Sequence, residues 1–229
     1  MKLTSVVNYD TKIKSEPFYV SHLCYTWNMT PKYKIMLFDV DGVLIIPPKL
    51  FSQQYCEKYG NDEEKLEGFY ATPEFRNASL GKSDLKDAIR QYNDLWQWDD
   101  EPDELLNMWF EAENHPNVEL LEEVQKLRKQ GSLLYLATQQ EKYRAAYLRD
   151  VVFDGKIDGM FCTCDIGFGK QEDNYWIVIL RELKTIYPDI ASEEIIFFDD
   201  RLSLVDKAKE FGISAFLYKN NARAISLLT

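Results

Sequence analysis

Four short apolar runs, separated by stretches with helical spacing, limit what this chain can fold into more than any other feature. They are KIMLFDV at 34–40, SLLYLAT at 132–138, EIIFFDD at 194–200 and SAFLY at 214–218. A strand with one wet face alternates apolar and polar residues. Runs this continuous are buried on both faces, which is the condition of a parallel sheet covered by helices. The intervening segments supply the helices. NVELLEEVQKLRKQG places Leu120, Leu121, Val124 and Leu127 on one stripe and ends at Gly131, a residue suited to stopping a helix. A helix is expected from about Glu141, another carries Trp176, Ile179, Leu180 and Leu183, and LSLVDKAKEFG makes a third. GMFCTC at 159–164 reads as a further short strand. Strands alternating with helices predict an α/β fold built on a Rossmann-like, doubly wound parallel sheet. In such sheets ligands gather at the carboxyl ends of the strands.

The alternation is interrupted once. Pro47 and Pro48 close the first strand region, and from there to His115 the chain has helical spacing and no strong strand signal. SDLKDAIRQYNDLW begins with Ser83 as the expected N-cap and puts Leu85, Ile89 and Tyr92 on one face. EPDELLNMWFEAE does the same with Leu105, Leu106 and Trp109. The expected organisation is an irregular N-terminal extension at 1–32, an α/β core at 33–45 and 116–229, and a small α-helical module inserted at 46–115. Trp96, Trp98, Trp109 and Trp176 lie in or beside helical segments, so they are expected in cores rather than in a ligand pocket.

Charge and residue counts narrow the function. The formal net charge of −11 argues against a nucleic-acid or anionic-membrane surface. An anionic substrate must then be attracted locally, by a metal or a few placed cations. No apolar run approaches the ~18 residues of a membrane span, and the first twenty residues lack the pattern of a signal peptide. The cysteines Cys24, Cys56, Cys162 and Cys164 are expected to be reduced thiols in a cytoplasmic protein. His22 and His115 stand beside no candidate nucleophile, so histidine-based hydrolysis and a histidine zinc site are disfavoured.

The apolar strands and one loop end in reactive groups. The first strand runs into Asp39 and Asp41, the second ends in Thr138 followed by Gln139, the GFGK loop carries Lys170, and the 194–200 run ends in Asp199 and Asp200. A parallel sheet would bring these endings to one crevice. Carboxylates in that number suit a hard cation such as Mg²⁺, which prefers oxygen ligands and leaves room for phosphate oxygens.

FDVDGVL, LAT, GFGK and FFDD, in that order, resemble the four motifs of the haloacid dehalogenase-like superfamily of hydrolases, with the helical module at the position of that superfamily's cap. The resemblance implies that Asp39 is a nucleophile forming an aspartyl-phosphate and that Asp41 is the general acid. Thr138, Gln139 and Lys170 would bind phosphate. Mg²⁺ would be held by Asp39, the backbone carbonyl of Asp41, and Asp199 and Asp200, with Asp200 the first choice for direct contact. Residues after Gly42 would form the turn on which the cap moves. An aspartate two positions after the nucleophile favours phosphate esters over halo-acids, so the implied activity is a phosphatase acting on a small phosphorylated metabolite. A phosphomutase or phosphotransferase and a catalytically silent binding protein are the alternatives. Gln139, Gln171 and Leu204 stand where relatives often carry asparagine, proline and asparagine.

Overall fold

The computed structural model describes residues 31–98 and 100–229. Residues 1–30, including His22, Cys24 and nearly all of the expected N-terminal extension, lie outside the described residues. Strand β1 (Ile35–Phe38) is followed by helices α1 (Phe51–Tyr59), α2 (Glu63–Phe69), α3 (Pro73–Ser79), α4 (Leu85–Gln91), α5 (Asn93–Trp96) and α6 (Pro102–Ala112). Alternation begins with α7 (Val118–Lys129) and β2 (Leu133–Thr138). Helix α8 (Lys142–Tyr147) runs through a π-helical turn (Leu148–Val152) towards β3 (Gly159–Cys162), and α9 (Thr163–Ile166) and α10 (Asp173–Ile186) precede β4 (Ile195–Asp199). Helix α11 (Leu202–Lys209), β5 (Ser214–Leu217) and α12 (Asn221–Leu228) complete the chain.

Among the described residues the strands form one parallel sheet in the order β3-β2-β1-β4-β5. Strands β1 and β4 are buried along their whole length, while the edge strands β3 and β5 are partly exposed. Alternation along β1 divides the core in two. Met36 and Phe38 pack with Leu120 and Val124 of α7 and with Ala224 and Leu228 of α12. Ile35 and Leu37 pack with Trp176 and Ile179 of α10 and with Val205 and Ala208 of α11. The doubly wound α/β architecture expected from the apolar runs is the one observed. From β1 the chain builds outward to β2 and β3, then returns to build β4 and β5 on the other side. The carboxyl ends of β1 and β4 therefore flank the point where the winding reverses, and connections leaving in opposite directions open a crevice there.

Helices α1 to α6 share a separate aromatic core containing Phe51, Tyr55, Phe69, Trp96, Trp109 and Phe110. Trp96 meets Phe69 edge-on with ring centroids 5.0 Å apart. Each such ring contributes roughly 1.5–3 kcal/mol by leaving water, which compensates for the shortness of the helices. Trp98 packs on this core and Trp176 is buried under the sheet, so the four tryptophans are packing residues.

Two local expectations need correction. The residue capping α4 is Asp84, whose carboxylate accepts from Lys86 N at 2.9 Å, whereas Ser83 turns its hydroxyl to Glu74 O. The run GMFCTC is a strand only as far as Cys162. Thr163 donates its hydroxyl to Ser79 O at 2.7 Å, and the chain turns there into α9. No helix among the described residues is long and apolar enough to cross a membrane.

Candidate active site

The register of the sheet sets the site. Phe38 pairs with Phe198, and Asp39 N donates to Phe198 O at 2.9 Å, so Asp39 and Asp199 come side by side at the carboxyl ends of β1 and β4. Both are buried. Lys170, fully buried, reaches between them from the loop before α10. Its Nζ lies 2.8 Å from Asp39 Oδ1 and 2.7 Å from Asp199 Oδ2, and it donates to Ala137 O at 3.2 Å. The loop is pinned behind it. Trp176 Nε1 donates to Lys170 O at 2.8 Å, and Gly169 N donates to Glu172 Oε1 at 2.7 Å. The apolar stripe of α10 thus also fixes the lysine.

Asp200 follows at the exposed rim. One carboxylate oxygen from each of Asp39, Asp199 and Asp200 lies within 4.8 Å of the others. Gly42 makes room for this cluster: its φ is +77°, and a Cβ there would collide with the Asp200 carboxylate. Burial, opposed by Lys170 and reinforced by Asp199, pushes Asp39 up to about 7. Burial and the Asp199 charge also raise Asp200. Three carboxylates gather here and two of them share one ammonium, an arrangement short of positive charge and made of hard oxygen donors. That donor set fits a divalent cation such as Mg²⁺.

Asp41 behaves differently. Its carboxylate is turned away from the cluster, half exposed at 54%, and held at both oxygens. Gln140 Nε2 donates to Oδ2 at 2.6 Å, and Arg144 Nη2 lies 3.2 Å from Oδ1. The Asp41 carboxylate is not one of the three in the cluster, and the contact expected of Asp41 with a cation is through its backbone carbonyl. Thr138 is buried and its hydroxyl accepts from Gln140 Nε2 at 3.3 Å. Gln139 is exposed but borders the same cleft of about 470 Å³, together with Asp39, Asp41, Gly42, Thr138 and Asp200.

The structure so brings Asp39, Lys170, Asp199 and Asp200 into contact range, with Asp41, Thr138 and Gln139 on the walls. Gln140 and Arg144 are absent from the sequence expectation. Gln140 precedes the helix cap and Arg144 lies in its first turn, so no single periodicity in the sequence links them. Cys162 and Cys164 are free thiols with sulfurs 3.0 Å apart. Their mutual hydrogen bond, with burial, holds the Cys164 thiol well above its usual range.

No family model and no curated protein matches the sequence. Solved structures do. A haloacid dehalogenase family enzyme from Bacteroides thetaiotaomicron superposes with a TM-score of 0.65 at 18% identity, over 82% of this chain and 94% of that one. A HAD-like family hydrolase from Porphyromonas gingivalis gives 0.66 at 17% identity, over 86% and 98%. The fold is haloacid dehalogenase-like. L-2-haloacid dehalogenase from Xanthobacter autotrophicus shares it at a TM-score of 0.55 and 16% identity, over 85% of this chain and 82% of that one. The Bacteroides enzyme has been crystallised in complex with magnesium and inorganic phosphate. In this chain the haloacid dehalogenase-like fold places the carboxylate cluster at the carboxyl end of the central strand.

Proposed function

We propose that the chain is a Mg²⁺-dependent phosphatase that hydrolyses a small phosphorylated metabolite through an aspartyl-phosphate on Asp39. The observation that carries this reading is the buried Asp39–Lys170–Asp199 arrangement opening onto a cleft whose wall holds Asp41. Asp39, Asp199 and Asp200, with the backbone carbonyl of Asp41, would hold the cation, which when bound supplies Lewis-acid neutralisation of the phosphoryl oxygens.

Asp39 attacks phosphorus as the P–O bond to the substrate breaks. Asp41 gives its proton to the departing alkoxide and then takes one from the water that attacks the aspartyl-phosphate, releasing inorganic phosphate and restoring Asp39. Lys170 holds Asp39 in place and offsets charge on the transferring group, and the Thr138 hydroxyl donates to a phosphoryl oxygen. Gln139 binds from the exposed rim. The haloacid dehalogenase in the same fold acts on a halo-acid, but a proton donor two residues from the nucleophile serves an alkoxide leaving group, which a halide does not need. That distinction favours phosphate esters here.

Residues 46–115 act in this reading as a cap over the 33–45 and 116–229 core. Ile46 and Leu50, large apolar side chains left about half exposed on the cleft, would meet the substrate's non-phosphate part. The test is phosphate release from a panel of small phosphate esters with Mg²⁺ and with EDTA, beside Asp39→Asn. Turnover that needs Mg²⁺ and disappears in the variant is expected. Turnover that persists in Asp39→Asn would overturn the reading.

A further inference from the structure

Arg144 has a place in the fold that its surface-like position in the sequence does not announce. Its side chain is 3% exposed, and the guanidinium sits 5.6 Å from the centre of the Phe110 ring. The Nη2 atom is shared. It lies 3.2 Å from Asp41 Oδ1 and 3.4 Å from Glu113 Oε2, while Nη1 is buried without a hydrogen-bond partner among the described residues.

Glu113 is the residue that ends α6, and its Oε1 accepts from Phe51 N at 2.9 Å, where α1 begins. It therefore joins the two places where the chain enters and leaves the helical module. The crossings are also tied to each other by Ile46 N donating to His115 O at 3.0 Å and by Gln54 Nε2 donating to Ala112 O at 3.3 Å. One guanidinium nitrogen thus connects Asp41 to the paired linkers of the module.

A purely structural role would explain the Arg144–Glu113 contact alone. Glu113 is mostly shielded, with its side chain 12% exposed, and its carboxyl is raised by burial and drawn back by Arg144, so it needs a cation nearby. Asp41 has no such need, because its side chain is open to water on the cleft. Yet both of its oxygens are held, one by Arg144 and the other by Gln140. Two donors on two oxygens fix the plane of a carboxylate as well as its position.

We propose that Arg144 is a positioning residue for Asp41, itself set by Glu113, so that where the proton donor stands depends on how the linkers of the helical module are seated. This rests on the reading of Asp41 as the donor to the leaving alkoxide. As the ester P–O bond breaks, the proton on Asp41 passes to the alkoxide oxygen, and Arg144 governs whether the carboxyl is in line to deliver it.

The experiment compares kcat/KM for two substrates: p-nitrophenyl phosphate, whose leaving group departs without a proton, and the alkyl phosphate that ranks first in the ester panel. Because kcat/KM reports the steps through leaving-group departure, later turnover of the aspartyl-phosphate does not blur it. Asp41→Asn should lose about 100-fold on the alkyl ester and far less on the aryl ester, the range of a general acid. Arg144→Gln should show the same selectivity with about tenfold loss on the alkyl ester, and Arg144→Lys should recover part of it. Glu113→Gln keeps the acceptor for Phe51 N and should show a smaller loss with the same bias; it carries the test if Arg144→Gln fails to fold. A selective Asp41→Asn beside Arg144→Gln or Glu113→Gln variants that lose both esters equally, or neither, overturns the positioning role. Equal losses in Asp41→Asn itself overturn the proton-donor reading instead.

Discussion

At the scale of the residue, the site is organised by burial and by the space a missing side chain leaves. Lys170 is wholly enclosed between Asp39 and Asp199, so its ammonium is the chain's own counter-charge to the Asp39 carboxylate, which burial pushes up to about 7. Gly42 performs the opposite service by having no Cβ. At φ +77°, a backbone region that costs an L side chain roughly 1–2 kcal/mol, it also lies against the Asp200 carboxylate. Gly42→Ala should therefore do two things at once. Stability in urea should fall by about 1–2 kcal/mol, and Asp200, the far end of a flexible side chain, should swing away from Asp39 and Asp199. Mg²⁺ binding measured by titration calorimetry should weaken about tenfold or more. Unchanged Mg²⁺ affinity in a folded Gly42→Ala protein would remove Asp200 from the cation site.

At the scale of the element, α8 and the turn that leads into it bring Arg144 and Gln140 to Asp41, and the start of the helix is held by a buried acidic cap. Glu141 is buried, accepts from Tyr143 N at 2.8 Å and Arg144 N at 2.5 Å, and is pushed from 4.5 up to about 7 by burial against those hydrogen bonds. A carboxyl raised on folding binds its proton more tightly in the folded state. The stability it supports is full below about 4.5 and is lost as pH rises through about 7. Glu141→Gln keeps an acceptor and removes the charge, so its stability relative to the parent should rise by about 3 kcal/mol from pH 4.5 to pH 8. Denaturant midpoints at several pH values measure this. A pH-independent difference would mean that Glu141 is not buried as a titrating group.

The same helix shows where sequence reading ends. Strands β1, β2 and β4 were legible because they are continuous apolar runs, and Asp39 and Asp199 because they end them. Gln140, Arg144 and Glu113 sit in polar surroundings that look solvated in sequence, and Glu113 meets Arg144 only through tertiary packing across the module junction. The α4 cap moved from Ser83 to Asp84 because neighbouring cap-forming residues compete, and a carboxylate in reach of Lys86 N prevails. The strand at Cys162 ended early for a reason equally remote in sequence, a hydroxyl bond to Ser79.

At the scale of the whole molecule, the sheet order explains why motifs spread over more than half of the chain converge. Asp39 and Asp199 are adjacent because β1 and β4 are, and Thr138 stands on the other side because β2 pairs with β1 in register. The helical module, with its own aromatic core, is joined to the sheet through two linkers that Glu113 and Ile46 tie together. For the proposed anionic ester to bind a chain of net charge −11, positive charge has to be concentrated at this one place, which Lys170 and a divalent cation on the carboxylate cluster would supply. In the proposed reaction Asp39 becomes phosphorylated during turnover. Acid-quenching the Mg²⁺-loaded enzyme with its best ester, reducing with borohydride and mapping the peptides by mass spectrometry tests this directly. Homoserine in place of the aspartate at position 39, and nowhere else, is the predicted result. Steady phosphate release under conditions that trap a phosphorylated control protein, with residue 39 unmodified throughout, would contradict it.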